Sequence, residues 1–241
     1  GTLLLGWYSG VQTTNTGSII GEVGTSIGLL STQTNSGLIR GDRIFFDYGT
    51  ATISGSFEAN QTEVYGSAIF TGTVLGVGNL IVTGSLDLTN ATLASAGKNL
   101  ASLNLSGTLI TDDDLTVSGL FTWDSRYGNA ILHGVGGQGS LTANGGTAII
   151  SSYNHRLDGG FHYVNAVGQT VTWSGGTVLL NDHSIFDNAG TLDLRDNLPM
   201  GSSDSLSEFN NSGTFVKSGG TGGSLFNTGV INNSGTIDVQ A

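Results

Sequence analysis

The chain has 241 residues, of which 40 are glycine, one is proline and none is cysteine, and only 10% are charged. Its formal charge of −11 excludes nucleic acid as a natural partner, because an acidic surface repels phosphate backbones; calcium or a neutral glycan is better matched. Without cysteine there are no disulfides and no thiolate metal sites, and no apolar run approaches the roughly 18 residues of a membrane-spanning helix, so no membrane insertion is expected.

Residues 1–50 show the weakest pattern. They contain short apolar groups that predict irregular rungs or an N-terminal cap over the open end of a repeat structure: Trp7-Tyr8, Ile19-Ile20, Leu29-Leu30 and Ile44-Phe45-Phe46. No linker separates this part from residues 51–241, so we expect a single domain over residues 1–241. Because the sequence begins at Gly1 without an initiator methionine, we expect a processed protein or a segment of a longer one.

From residue 51 onward, a glycine followed by Thr or Ser and then by an apolar residue recurs along the chain. The steps begin at Gly55, Gly72, Gly84, Gly107, Gly139, Gly176, Gly190, Gly213 and Gly235. The longer intervals, such as that from Gly190 to Gly213, predict one complete coil each. The intervals of about half that length, such as that from Gly72 to Gly84, predict two strands within one coil.

The residues that follow each step alternate in the manner of a strand. In Leu86-Asp87-Leu88 and Leu192-Asp193-Leu194 the apolar side chains stand at positions i and i+2. Such runs end at Gly, Asn, Ser or Asp, which tolerate tight turns. One coil of this kind cannot bury its own inward face, but stacked coils form a continuous core. The sequence therefore predicts an all-β, right-handed parallel β-helix (β-solenoid) of about ten rungs of roughly 22 residues.

An Asn-x-Gly-x-apolar element recurs in the C-terminal third. Its copies begin at Asn188, Asn211, Asn227 and Asn233. Asparagine at a repeated turn can stack on itself, each amide bonding to the next, so four copies predict an asparagine ladder. The alternative is that Asn-x-Gly is simply favourable turn chemistry.

Two segments carry a family resemblance. Phe209-Asn210-Asn211-Ser212-Gly213-Thr214-Phe215 and Val171-Thr172-Trp173-Ser174-Gly175-Gly176 resemble repeats of large exported bacterial surface proteins, the filamentous haemagglutinin-like adhesins. The resemblance covers roughly residues 120–241. It implies a parallel β-helix in a long exported protein, secreted or held at the cell surface, and it brings no catalytic motif.

Aromatic residues are concentrated in the middle of the chain, and the candidates for a ligand-binding strip are Trp123, Tyr127, Tyr153, Tyr163 and Trp173. If these rings face outward on one side, they form a strip that binds glycan, because a ring face packs on the apolar face of a pyranose. If they face inward, they fill the core.

The alternative function is a polysaccharide lyase or glycoside hydrolase on the same fold. Its candidate catalytic residues are His155, Arg156, Asp158, Asp182 and Asp187; a hydrolase needs one carboxyl as acid and another to activate water. The chain has only seven Lys and Arg residues, which are few positive charges for a cleft that binds a polyanionic polysaccharide. The sequence therefore favours a protein that is not an enzyme. The alternative interpretation of these Asp residues is that they are solvated carboxylates in turns.

Asp112, Asp113 and Asp114 form the densest charge cluster and the one candidate for calcium; no other cofactor is expected. Adjacent side chains on a strand alternate faces, which works against one shared ion. As partners we expect a glycan or a host or cell-surface receptor, and end-to-end or lateral self-association, because uncapped coils expose strand edges. The function favoured overall is a structural or adhesive segment of an exported cell-surface protein.

Overall fold

A computed structural model describes residues 1–6 and 12–241; Trp7 and Tyr8, two of the residues expected in irregular N-terminal rungs, lie outside this range. Short strands make up nearly all of the regular structure, with a single helical turn, α1 (Ser95–Lys98). In chain order the strands are β1 (Thr2–Leu5), β2 (Gln12–Asn15), β3 (Ser18–Ile20), β4 (Ser26–Leu30), β5 (Thr32–Asn35), β6 (Leu38–Asp47), β7 (Thr50–Ile53), β8 (Ser56–Val64), β9 (Ser67–Phe70), β10 (Thr73–Gly76), β11 (Asn79–Val82), β12 (Ser85–Asp87), β13 (Thr92–Leu93), β14 (Asn99–Leu100), β15 (Ser102–Leu105), β16 (Thr108–Ile110), β17 (Asp114–Val117), β18 (Phe121–Asp124), β19 (Ala130–His133), β20 (Ser140–Ala143), β21 (Thr147–Ile150), β22 (Asn154–Asp158), β23 (His162–Asn165), β24 (Thr170–Trp173), β25 (Thr177–Leu180), β26 (Ile185–Asn188), β27 (Thr191–Leu194), β28 (Met200–Ser202), β29 (Glu208–Asn211), β30 (Thr214–Lys217), β31 (Phe226–Asn227), β32 (Val230–Asn233) and β33 (Thr236–Val239).

The strands stack in parallel register into the three sides of a coil. Side 1 consists of β1, β4, β6, β8, β11, β15, β18, β21, β24, β27, β30 and β33. Side 2 consists of β2, β5, β7, β9, β12, β16, β19, β22, β25, β28 and β31. Side 3 consists of β14, β17, β20, β23, β26, β29 and β32, preceded by β3, the first halves of β6 and β8, β10 and β13. The predicted parallel β-solenoid is confirmed, with about 11 turns of roughly 22 residues in the described part of the chain, one more than the sequence suggested.

The longer glycine intervals each span one complete coil, as the sequence predicted. Thr191, which follows Gly190, is paired with Thr214, which follows Gly213 in the next turn. The shorter interval differs from the prediction of two strands within one coil: Gly72 precedes a strand of side 3, and Gly84 precedes a strand of side 2 in the following turn of a three-sided coil. A Cβ atom on Gly213 would lie 2.0 Å from the carbonyl oxygen of Gly190. These corners therefore exclude any side chain, because the backbones of successive turns meet there.

Turn length varies, which is why the repeat is loose in the sequence. Ser26 is paired with Arg43 one turn later, whereas Phe121 is paired with Thr147, so the second of these turns is much the longer. The extra residues of the long turn lie in the corner segments 125–129 and 134–139. Insertions at corners leave the stacked strands in register.

Alternate side chains on every strand point inward and form columns along the coil axis. On side 1, Leu80, Leu103 and Phe121 succeed one another and are at most 1% exposed. On side 3, the ring of Phe186 lies 4.7 Å from that of Tyr163, between centroids. The continuous core supplies most of the stability of such a fold, since a single turn has no core of its own.

An asparagine ladder closes the corner between sides 3 and 1. Asn165, Asn188, Asn211 and Asn233 are joined by three amide hydrogen bonds of 2.7 Å, each Nδ2 donating to the Oδ1 of the next turn. The prediction is confirmed for Asn188, Asn211 and Asn233. It is wrong for Asn227, which belongs to β31 on side 2, and it missed Asn165, which lacks the Asn-x-Gly spacing because its next glycine is Gly168.

Candidate functional site

Three of the five aromatic candidates lie in the core. Trp123, Tyr163 and Trp173 are 0% exposed. Their polar atoms are satisfied inside: the Trp123 Nε1 donates to the Ala130 carbonyl at 3.1 Å, and the Tyr163 hydroxyl lies 2.6 Å from Thr147 Oγ1. Burial raises the pKa of the Tyr163 phenol above its ordinary range. These three rings fill the core and offer no face to a sugar, so a surface strip of five aromatic residues does not exist.

The remaining two candidates, Tyr127 and Tyr153, are on the surface. They are 74% and 57% exposed. Both lie in the corner between sides 1 and 2, Tyr127 after β18 and Tyr153 after β21 in the next turn. The Ser125 hydroxyl donates to the Tyr153 carbonyl at 2.8 Å, which ties the two corners together.

A groove runs along this corner of the coil. We call it the corner groove; its volume is about 620 Å³, and it is lined by Arg126, Ser151, Ser152, Ser174, Gly175, Gly176, Thr177, Asp196, Leu198 and Pro199. The lining comes from the same corner of successive turns. Tyr127 and Tyr153 directly follow two lining residues, Arg126 and Ser152, in the chain.

Buried Asp124 fixes the cation at one end of the corner groove. Its side chain is 1% exposed, whereas that of its ion-pair partner Arg126 is 53% exposed. The Asp124 carboxylate also accepts hydrogen bonds from the Arg126 backbone N–H at 3.0 Å and from the Ser151 hydroxyl. The guanidinium carbon lies 5.9 Å from the centre of the Tyr127 ring. The corner groove therefore presents a positioned donor group next to an exposed ring.

One lining residue of the corner groove, Gly176, lies against a buried histidine. Gly176 has a φ of +66°, and a Cβ atom there would lie 2.1 Å from the Tyr153 carbonyl oxygen and 2.8 Å from His155 Cε1. His155 is fully buried, with Nε2 2.9 Å from the Ile150 carbonyl and its ring against Trp123. Burial lowers the pKa of His155 to about 4, so the ring is neutral at pH 7.

The five candidate catalytic residues do not converge on one point. His155 points into the core, and its neighbour Arg156 points out, as strand alternation requires. Arg156 pairs with Asp158 at 2.9 Å, and Asp158 accepts a hydrogen bond of 2.7 Å from Asn181. Asp182 lies in the same corner one turn later and accepts a hydrogen bond of 3.2 Å from the Gly159 N–H. The Arg156–Asp158 ion pair is supported by the Asn181 amide, and His133 on the neighbouring strand is the residue paired with Asp158.

Asp187 lies apart from that group, on the outer face of side 3. Its carboxylate is 2.7 Å from His162 Nε2 and accepts a hydrogen bond of 2.8 Å from Asn210. Burial acts to raise the pKa of Asp187, but these two hydrogen bonds outweigh it, and the pKa lies below its ordinary value. Asn232 continues the row by donating to Asn210 Oδ1 at 2.8 Å. The side chains of His162, Asp187, Asn210 and Asn232 therefore form a second row of contacts between turns, on the outer face of side 3.

The three acidic residues proposed for calcium have separate contacts. Asp113 pairs with Lys98, and Asp114 accepts a hydrogen bond of 2.7 Å from the Ser140 hydroxyl. Asp112 is exposed at the corner. Within residues 1–6 and 12–241, no group of three or more His, Asp or Glu side chains is arranged to hold a metal ion.

Sequence reasoning missed the lining of the corner groove. Arg126, Ser151, Ser174 and Asp196 have no motif in common, and they meet because each lies in the same corner of a successive turn. The available signal was the pairing of Arg126 with Tyr127, a cation beside an aromatic residue in a glycine-containing turn.

A scan against protein-family models gives no match, and searches of the curated proteins and of the solved structures give none either. Among the described residues, no helix has the length and apolar character to span a membrane.

Proposed function

We propose that this chain is a structural and adhesive segment of an exported bacterial surface protein, and that it binds a glycan in the corner groove. One observation carries the proposal: a groove built on a continuous core is lined by a positioned arginine, and two exposed tyrosines lie in the same corner of the coil, each next in the chain to a lining residue. The secreted or cell-surface location is part of the proposal, which the repeat resemblance supports.

The chemistry of the corner groove suits a sugar. Tyrosine rings pack on the apolar C–H faces of a pyranose, and the Arg126 guanidinium donates to its hydroxyl groups. Ser152, Ser174 and Thr177 add small hydroxyl-bearing side chains along the lining. The formal charge of −11 favours a neutral sugar over a polyanionic one, because like charges repel.

The solenoid supports adhesion by geometry. About 11 turns at a spacing of about 4.8 Å make a rod roughly 50 Å long. Each turn is hydrogen-bonded to the next on three sides, and the asparagine ladder adds side-chain bonds at one corner. A rod of this kind holds a binding groove rigidly away from a surface.

The test is a binding screen on an array of neutral and acidic oligosaccharides, with the best ligand then titrated against variants. We expect Tyr127→Ala and Tyr153→Ala each to weaken binding by about two- to twelvefold, since a ring contact contributes about 0.5–1.5 kcal/mol. Tyr48→Ala is the matched control, because Tyr48 is 81% exposed in an N-terminal turn far along the chain from the corner groove. Its affinity should equal that of the parent chain.

The same oligosaccharides are incubated with the chain and assayed for new reducing ends and for unsaturated products. Turnover would replace the adhesive function with a hydrolase or lyase. Binding that is lost equally in all three tyrosine variants, or no binding to any glycan, would overturn the corner groove as the site.

A further inference from the structure

The exposed tyrosines share one corner of the coil. Within residues 1–6 and 12–241, the tyrosines with exposed rings are Tyr48, Tyr65, Tyr127 and Tyr153. Each of them follows a strand of side 1 and precedes a strand of side 2. We call Tyr48 and Tyr65, which are 81% and 43% exposed, the first tyrosine pair. Tyr127 and Tyr153, which each follow a lining residue of the corner groove in the chain, are the second tyrosine pair.

The two pairs succeed one another along the coil axis. The first pair stands on two successive turns, because Phe46 before Tyr48 is paired with Val64 before Tyr65. From Val64 the register of side 1 leads to Trp123 three turns further on, just before the corner that holds the second pair. At a spacing of about 4.8 Å for each turn, about 14 Å of the corner separates the two pairs along the axis.

Small residues form the corner between the two pairs. The two intervening turns contribute only Thr83-Gly84 and Ser106-Gly107, and Ser106 is buried. These corners pack directly on each other, since a Cβ atom on Gly107 would lie 2.0 Å from the carbonyl oxygen of Gly84. A ligand that lies along the corner therefore crosses this stretch without meeting a large side chain.

Each pair has an arginine that a buried carboxylate holds in place. At the first pair, the Glu63 side chain is only 3% exposed and accepts two hydrogen bonds of 2.6 Å from Arg43. The Tyr65 hydroxyl donates to the same carboxylate, so the ring and the guanidinium are fixed together. At the second pair, Asp124 holds Arg126 by an ion pair of the same kind. The first pair therefore repeats the chemistry found at the corner groove.

We infer that this corner binds an extended, neutral polysaccharide along the coil axis, with the corner groove as one contact site and the first tyrosine pair as the other. The inference rests on the proposed function of the corner groove. A polymer is the ligand that fits, because it presents the same sugar face at repeated intervals, whereas a single terminal sugar reaches one pair only. A chain held at one pair meets the other at a high effective concentration, so the two contacts reinforce each other.

The test measures affinity against ligand length. Neutral oligosaccharides of increasing length, prepared from cellulose, xylan and mannan, are titrated against the full chain by isothermal titration calorimetry. Members long enough to span both pairs should bind more than about tenfold more tightly than members that fit within the corner groove.

Variants of the first pair separate this gain from a simple effect of length. Tyr48→Ala and Tyr65→Ala should each weaken binding of the long members by about two- to twelvefold. They should leave the short members unchanged, because a short ligand does not reach the first pair. Tyr65→Phe keeps the ring and should bind like the parent chain. Val167→Ala is the control, since it removes an exposed apolar side chain from the corner between sides 3 and 1.

Far-UV circular dichroism and thermal unfolding verify that each variant is folded. The inference alone is overturned if short members bind and longer members bind no more tightly, or if the gain with length survives both alanine substitutions. Failure of every member to bind also overturns it, and the oligosaccharide array then decides whether the proposed function fails as well.

Discussion

Asn188 at the centre of the asparagine ladder gives the sharpest test of how the turns are held together. It is fully buried and makes three hydrogen bonds: it accepts one of 2.7 Å from Asn165, and its Nδ2 donates to Asn211 Oδ1 at 2.7 Å and to the Thr214 carbonyl at 3.0 Å. Asn188→Ala removes all three. At about 1 kcal/mol for each bond, with the buried Asn211 Oδ1 left without its donor, we expect a loss of about 3 kcal/mol in the free energy of unfolding.

Asn233→Ala is the matched comparison, because Asn233 is exposed at the last step of the same ladder. Water replaces its lost partners, so this change should cost less than about 1 kcal/mol. Urea unfolding of both variants measures the difference, with an unchanged dependence on denaturant showing that the same surface unfolds. Equal losses in the two variants, or a loss of under about 1 kcal/mol for Asn188→Ala, would refute the ladder as a stabilising feature.

Three further predictions concern the corners and the core. Gly213→Ala should destabilise the chain by about 2 kcal/mol or more, because its Cβ would lie 2.0 Å from a backbone carbonyl, whereas Gly223→Ala, which meets nothing within 4 Å, should be neutral in the same urea measurement. Because the pKa of buried His155 is about 4 and that of an unfolded histidine is about 6.5, the unfolded state gains its proton first as pH falls. About 3 kcal/mol of stability present above about pH 6.5 should be lost by about pH 4, and His155→Gln should flatten this slope in unfolding measured across that window. Trp173→Ala should lower the free energy of unfolding by about 3–5 kcal/mol, as expected for a fully buried aromatic residue; a change near zero in thermal unfolding would contradict its place in the core.

The sequence predicts the coil because the glycine steps mark the corners where the backbones of successive turns come into contact. Wherever two corners stack closely, as at Gly190 and Gly213, only glycine fits, so the spacing of the steps reports the length of a turn. The number of turns is harder to predict from the sequence than the coil itself. The short turn that begins at Ser26 and the long turn that begins at Phe121 stack equally well, since corner insertions do not disturb the strands, and an average interval therefore undercounts the short turns.

The site was harder to predict because the direction of a side chain depends on the phase of each short strand. The candidate binding residues are all aromatic, and the sequence does not show which of them face outward. Trp123 and Trp173 lie at inward positions of strands, whereas Tyr127 and Tyr153 lie in exposed corners. His155 and Arg156 are adjacent in the chain and face opposite ways. The residue types alone do not show which side chains point into the core and which point to solvent.

Hydrogen–deuterium exchange with the best ligand from the array tests most directly whether the corner groove binds a glycan. We expect slower exchange in the four corner segments 125–129, 151–153, 174–177 and 195–199, with little change elsewhere along the rod. Protection confined to another face or to the ends of the coil, or no protection at saturating ligand, would contradict it.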